Sequence, residues 1–232
     1  AAGLIGAGRV KMIEMPEAVA LLNGFGGVAS ALVAAVTALE SHGAELFPML
    51  TAGLALATGM ITLTGSLVAG AKLHKLLPQK PVVWKRHQAV TTISAILTAA
   101  AIAAMVFVRT GSSLQLLLII LNTLVSGFFG VAFAIRVGGA DMPITISLLN
   151  SLSGVAGSIA GMAISDPLLV AIGGVVGASG LLLTQIMCRA MNRSLSDILL
   201  GRTSISAEPV SANLTAAGGP APSGAGGAQY GA

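Results

Sequence analysis

The sequence is short of charge: only 9% of its 232 residues are Asp, Glu, Lys or Arg, while 55% are hydrophobic and the mean hydropathy is +0.92. That balance excludes a soluble globular domain and leaves an integral membrane protein. Cysteine is nearly absent, and the single Cys188 allows no intrachain disulfide and reads as packing rather than chemistry. Segments of about ten residues with alternating polarity are missing, which excludes transmembrane strands. Clustered metal ligands, a nucleophile elbow and a phosphate-binding loop are missing as well. GLIGAG at Gly3 lacks both the glycine spacing and the preceding strand of a dinucleotide loop. Inside the apolar runs there is no carboxylate and no His, so no group there titrates near neutral pH. A proton carrier, if one is needed, must come from elsewhere.

What is present is a set of six apolar stretches, residues 17–39, 49–71, 88–108, 114–135, 143–163 and 167–188. Each is long enough to cross about 30 Å of hydrocarbon as a helix. The expected fold is an all-α membrane bundle of about six transmembrane helices. Eleven of the twelve basic residues fall in loops on one side and only Arg109 on the other, which puts both ends on the cytoplasmic or matrix side. The pI of 9.7 therefore reports topology and not nucleic-acid binding. Residues 1–16 read as the end of a preceding helix and an inner loop, and 17–188 as the membrane domain. Residues 189–202 read as a polar extension of the last helix, and 203–232 as an Ala/Gly/Pro-rich linker that cannot bury enough surface to fold. The segment 72–86 reads as a solvated inner loop, and His42, His74 and His87 as surface residues. AAGLIGAG carries no signal-peptide pattern and looks like the tail of an apolar helix, so a longer parent chain is expected.

One segment is used twice. Residues 15–34, MPEAVALLNGFGGVASALVA, and 142–161, MPITISLLNSLSGVAGSIAG, agree at 8 of 20 positions. Each copy follows an acid, Glu14 or Asp141, and places an Asn, Asn23 or Asn150, nine residues later. At about 1.5 Å per residue the amide lies some 13 Å below the helix start. Both copies run outward from the inner side, so they are parallel repeats expected to face one another across a shared axis. A single Asn in a spanning helix commonly just bonds a neighbouring helix. Two in register, followed by Gly and Ser positions, point to a polar pathway. Ser147, Ser151, Ser153 and Ser158, with Thr62, Thr64 and Ser66, are expected to extend it as a hydrogen-bonded chain. Small residues at packing spacing, Gly173 with Gly177, Gly157 with Gly161, and Gly26 with Ser30 and Ala34, are expected to bring helices close. Asp141 is expected as an N-cap carboxylate, with a further reading in which it couples a soluble domain to the helices.

The motifs EMPEAVALLN (14–23), TLTGSLVAGAKL (62–73), VGGADMPITISLLNS (137–151), VGASG (176–180) and MCRAMNRS (187–194) resemble, in the same order, stretches of the beta subunit of proton-translocating nicotinamide nucleotide transhydrogenase. The resemblance implies a membrane domain that couples proton passage to hydride exchange between NAD(H) and NADP(H), each held on a soluble domain and neither bound by this part of the chain. It implies that Asn150 lines the proton path and that Ser66 and Gly180 belong to helices around it. Asp141 and Arg193, with Arg189 of the same motif, would lie at the junction with the soluble domain. The implied partners are an alpha-type subunit with an NAD-binding domain, the chain's own NADP-binding domain beyond Thr203, the bilayer, and a second copy in a homodimeric complex. Many members carry His where this chain has Asn23, so a His on a partner helix is the implied substitute carrier. The implied location is a bacterial inner membrane or a mitochondrial-type inner membrane. Outside this resemblance, parallel repeats without a catalytic motif also fit a secondary transporter or channel.

Overall fold

A computed structural model describes residues 14–40, 46–107, 112–195 and 198. Six long helices follow one another: α1 (Met15–Glu40), α2 (Leu46–Leu73), α3 (His87–Phe107), α4 (Ser112–Ile135), α5 (Met142–Ala163) and α6 (Pro167–Ala190). A 3₁₀ turn, Gly139–Asp141, leads into α5. Each of the six is long and apolar enough to cross a membrane, the described residues contain no strand, and the bounds fall within three residues of those expected. The chain is a multi-pass membrane bundle. GLIGAG, Arg9, Lys11, His42, Arg109, Arg202 and the 203–232 linker lie outside the described residues.

Local chemistry sets the turns. Asp166 caps α6 by accepting from the N–H groups of Leu168 at 3.0 Å and Leu169 at 3.2 Å, and Pro167 occupies the first turn, where its missing N–H costs nothing. Ser165 before it is left-handed, with φ of 56°, and closes a short hairpin between α5 and α6. α2 ends at a left-handed Lys75, where Leu76 N–H returns to the carbonyl of Ala71 at 2.9 Å.

α2 and α5 form the middle of the bundle, and α5 is the most buried of the six. The α1–α2 hairpin packs on one side of it and α6 on another, α4 lies behind α2, and α3 is outermost against α4. In its most apolar window 67% of α5 is buried, against 22% for α6. Backbones approach where side chains vanish. A Cβ on Gly27 would sit 2.6 Å from Gly59 O, and one on Gly154 2.5 Å from Gly177 N. Gly27 and Gly154 hold the same position in the repeat, so each copy closes its own hairpin at its shared glycine. Gly161, Gly173, Gly177 and Gly180 are likewise closed by the facing helix, and Gly26 meets Ser153. Gly157 departs from expectation, because nothing lies within 4 Å of its Cβ direction.

Three further expectations are corrected. α6 does not run on through 189–202: it stops at Ala190, left-handed Asn192 (φ 52°) turns the chain, and Ile198 packs beside Ile144 and Cys188. Lys72 is no loop cation. It is 0% exposed in the last turn of α2, and its Nζ donates to the carbonyls of Ile135 and, at 2.8 Å, Val137. Those carbonyls lie at the end of α4 and in the turn after it, and Ile135 O also accepts from Val82 N–H at 3.3 Å, so Lys72 helps tie the 74–86 segment to α4. His87 is not a surface residue either. It is buried with Nε2 2.8 Å from Ala132 O, while Trp84 N–H donates to Nδ1 at 3.4 Å, a pattern met by the neutral ring protonated at Nε2.

Candidate functional site

α1 and α5 cross at equivalent points of the repeat. A Cβ on Gly26 would lie 2.5 Å from Ser153 Oγ, and residue 153 is the counterpart of residue 26. Asn23, only 6% exposed, donates from Nδ2 to Ile146 O at 3.4 Å. Contacts advance in the same direction on both helices, from 23 with 146 to 26 with 153, as parallel copies require. In an α-helix the carbonyl of residue 146 also accepts the N–H of residue 150, so the Asn23 amide lies about one turn from Asn150. Ser66 of α2 stands beside Gly24, fully buried, and its Oγ has no hydrogen-bond partner. A buried orphan hydroxyl costs about 1–3 kcal/mol, so this junction of α1, α2 and α5 carries one of the unsatisfied polar atoms of the described interior, with those of Asn122, Arg136 and Asp141.

The other hydroxyls do different work. Ser147 bonds Thr184 at 2.9 Å, Thr184 donates to Gly180 O at 2.8 Å, and Ser151 donates to Gly177 O at 2.6 Å, so these groups fasten α6 to α5. Ser158 donates to Val170 O at 3.0 Å, and Thr62 and Thr64 bond carbonyls of their own helix at 2.7 and 2.9 Å. The seven hydroxyls expected along the pathway are not bonded to one another in a continuous chain: Ser151, Ser158, Thr62 and Thr64 are engaged by backbone carbonyls and Ser147 by Thr184. Asn150 is half-buried and makes no side-chain hydrogen bond among the described residues. Helical spacing sets it between the α5 stripe that faces α1, through Ser153, and the stripe that faces α6, through Ser151 and Gly154.

At the inner end of α5 the pattern changes to charge. Asp141 holds the N-cap position but makes no capping bond, which corrects the expected role. Its Oδ1 is buried without a hydrogen bond and lies 3.6 Å from Arg193 Nε, an ion pair too long for a hydrogen bond. The pair lines a cleft of about 460 Å³ whose opposite wall is Lys72, Gln79, Lys80 and Pro81. Arg189 is exposed in the last turn of α6, outside this cleft, so the three coupling candidates do not form one cluster. Sequence reading missed Lys72. Its place on the buried stripe Thr62, Ser66 and Ala69, at helical spacing, is the signal that could have found it.

No group of three or more potential metal ligands occurs among the described residues. The family model of the NAD(P) transhydrogenase beta subunit matches residues 1–220. Two relatives, both named NAD(P) transhydrogenase subunit beta and both from Rhodospirillum rubrum, one of a specified strain, are 35% identical over 209 residues, 87% of this chain. The chain spans 44% of the length of those relatives. With a match over nearly the whole chain, and with the repeat, the paired amides and the Asp141 turn in the motifs that carried the resemblance, this chain belongs to the NAD(P) transhydrogenase beta subunit family.

Proposed function

We propose that this chain is the proton-conducting membrane part of an NAD(P) transhydrogenase, coupling proton movement to hydride transfer between NAD(H) and NADP(H) held on soluble domains. One observation carries the reading: α5 bears the unsatisfied Asp141–Arg193 cleft at its inner end and the Asn23–Asn150 crossing about 13 Å further in. A rigid, central helix links the two. A soluble domain that rearranges Asp141 or Arg193 moves α5, and any shift of α5 alters the bond from Asn23 to Ile146 O. Because amides do not titrate, Asn23 and Asn150 orient and gate, and the carrier is a titratable group on a partner helix seated beside Asn150. That flank of α5, with Asn150 half-buried and open space at Gly157, accommodates such a helix.

The nucleotides bind elsewhere. The described span glycines are largely closed by neighbouring backbone, as at Gly154 and Gly161, and offer no cradle for a pyrophosphate. NADP(H) belongs to this chain's own soluble domain beyond Thr203 and NAD(H) to an alpha-type subunit, in a homodimeric complex of an energy-coupling inner membrane.

The test is proton movement in vesicles holding the full-length parent and its partner subunits, started with NADPH and an NAD analogue, with Asn150→Ala as comparison. Pumping that falls at least about tenfold in the variant, with nucleotide binding intact, is the expected result. If the assembled parent neither exchanges hydride nor pumps, the transhydrogenase reading fails. Solute uptake by that parent would then favour a secondary transporter or channel, to which the parallel crossing at Gly26 and Ser153 is also suited.

A further inference from the structure

Arg136 follows directly on α4, at the inner membrane face. It is 6% exposed, its Nε has no hydrogen-bond partner, and the ion pairs formed among the described residues do not include it. Its neighbour is the ring of Phe133, with Cζ 5.9 Å from the centroid. Burial lowers its pKa from the ordinary value, the direction expected of a cation taken from water without a counter-charge. An Arg stays protonated at any physiological pH, so this is a buried positive charge in search of an anion.

The guanidinium lines a groove of about 300 Å³ between α3 and α4. The top of the groove is polar, with Gln88 and Thr92 exposed beside Arg136. Its floor is apolar, made by Ala95, Phe129 and Phe133. From Arg136 to Phe129 is seven residues of helix, about 10 Å toward the membrane centre. The groove opens on the outward face of α3, where Ala95 and Ile96 are exposed, and Lys85 and Arg86 are exposed just before α3 begins.

We propose that this groove binds one anionic phospholipid of the inner leaflet, its phosphate on Arg136 with Gln88 and Thr92, and the start of an acyl chain along Ala95 and Phe129. Polarity that falls from a guanidinium to bare rings over about 10 Å matches a phospholipid, and an Arg fork matches a phosphate diester. A free phosphate makes no use of the apolar floor. A soluble domain does not reach below the interface. Lys85 and Arg86 add the general attraction of a basic inner face for anionic lipid.

The experiment uses the full-length parent with its partner subunits, in bilayer discs of phosphatidylcholine containing phosphatidylglycerol. Lipid retained after detergent washing is counted by native mass spectrometry, with helical circular dichroism as the check on folding. Wild type and Lys85→Gln should retain one phosphatidylglycerol per chain. Arg136→Gln should retain on the order of tenfold less, the loss expected of a charge-assisted hydrogen bond. Ala95→Trp fills the floor from an exposed position and leaves Arg136 in place; it should lose the lipid too. Equal retention in Arg136→Gln overturns the proposal. So does full retention in Ala95→Trp, or displacement of the lipid by inorganic phosphate alone, since either would make the site one for a headgroup-sized anion.

Discussion

Replacing Gly154 by Ala tests the architecture that holds the crossing. The new Cβ would lie 2.5 Å from Gly177 N and 2.9 Å from Gly177 Cα, whereas ordinary contacts begin at 3.4 Å. The obstacle is backbone, so no side chain can swing away, and α6 must retreat by about 0.9 Å, the difference between 3.4 and 2.5 Å. Overpacking of this kind costs about 1–3 kcal/mol. The retreat also stretches the bonds from Ser151 to Gly177 O and from Ser147 to Thr184, each worth about 0.6 kcal/mol on average between membrane helices. The expected loss is about 2–4 kcal/mol in all. The internal control is Gly157→Ala, three residues along α5, where nothing lies within 4 Å and the better helix propensity of Ala predicts a change between zero and about 1 kcal/mol in favour of the fold. Both are read by unfolding the detergent-solubilised chain with increasing denaturing detergent, with helicity as the signal. If Gly154→Ala costs no more than Gly157→Ala, the packing argument is wrong, and with it the view that α5 and α6 move as a fastened pair. By repeat symmetry Gly27→Ala, aimed at Gly59 O, should fail in the same way.

Two further outcomes follow from the inner face. Lys72→Met removes the donor to the carbonyls of Ile135 and Val137, and hydrogen bonds from a charged group are worth about 1.5–3 kcal/mol each. Hydrogen exchange should accelerate through the end of α4 and the 136–139 turn; unchanged exchange there would show that the bonds carry no stability. Glu17→Gln removes the 2.9 Å pair between Glu17 and His74, but His74 is largely exposed, so the melting midpoint should shift by less than about 1 kcal/mol equivalent and less still in high salt. A larger loss would mean that the pair is shielded from water in the assembled complex.

How much of this was legible beforehand depended on the kind of physics involved. Span number and bounds were readable because a crossing helix needs about 20 apolar residues in a row, a one-dimensional property. The repeat, and with it Asn23 and Asn150 as matched positions, was readable by comparison of the chain with itself. The role of each small or polar residue was not. Gly154 and Gly157 look equivalent along the chain, yet one touches backbone and the other touches nothing. Ser147 and Ser151 were expected on a path, and what the spacing did not reveal is that they also bond α6, through the Thr184 hydroxyl and Gly177 O, because buried hydroxyls in an apolar medium take the nearest polar partner. Lys72 and Arg136 read as loop cations since both adjoin loops, and both are buried once α2, α3 and α4 assemble.

The sequence by itself determined that the chain is a helical membrane bundle with its basic loops on one side, and that it belongs to a recognisable family, because composition, run length and repeat are properties of order alone. Only the tertiary structure decided that the two repeat helices cross at Gly26 and Ser153, that Asn23 bonds Ile146 rather than Asn150, and that Asp141 and Ser66 are left unsatisfied. Those facts depend on crossing angle and rotation about each helix axis, which apolar spans leave undetermined until close packing selects one arrangement.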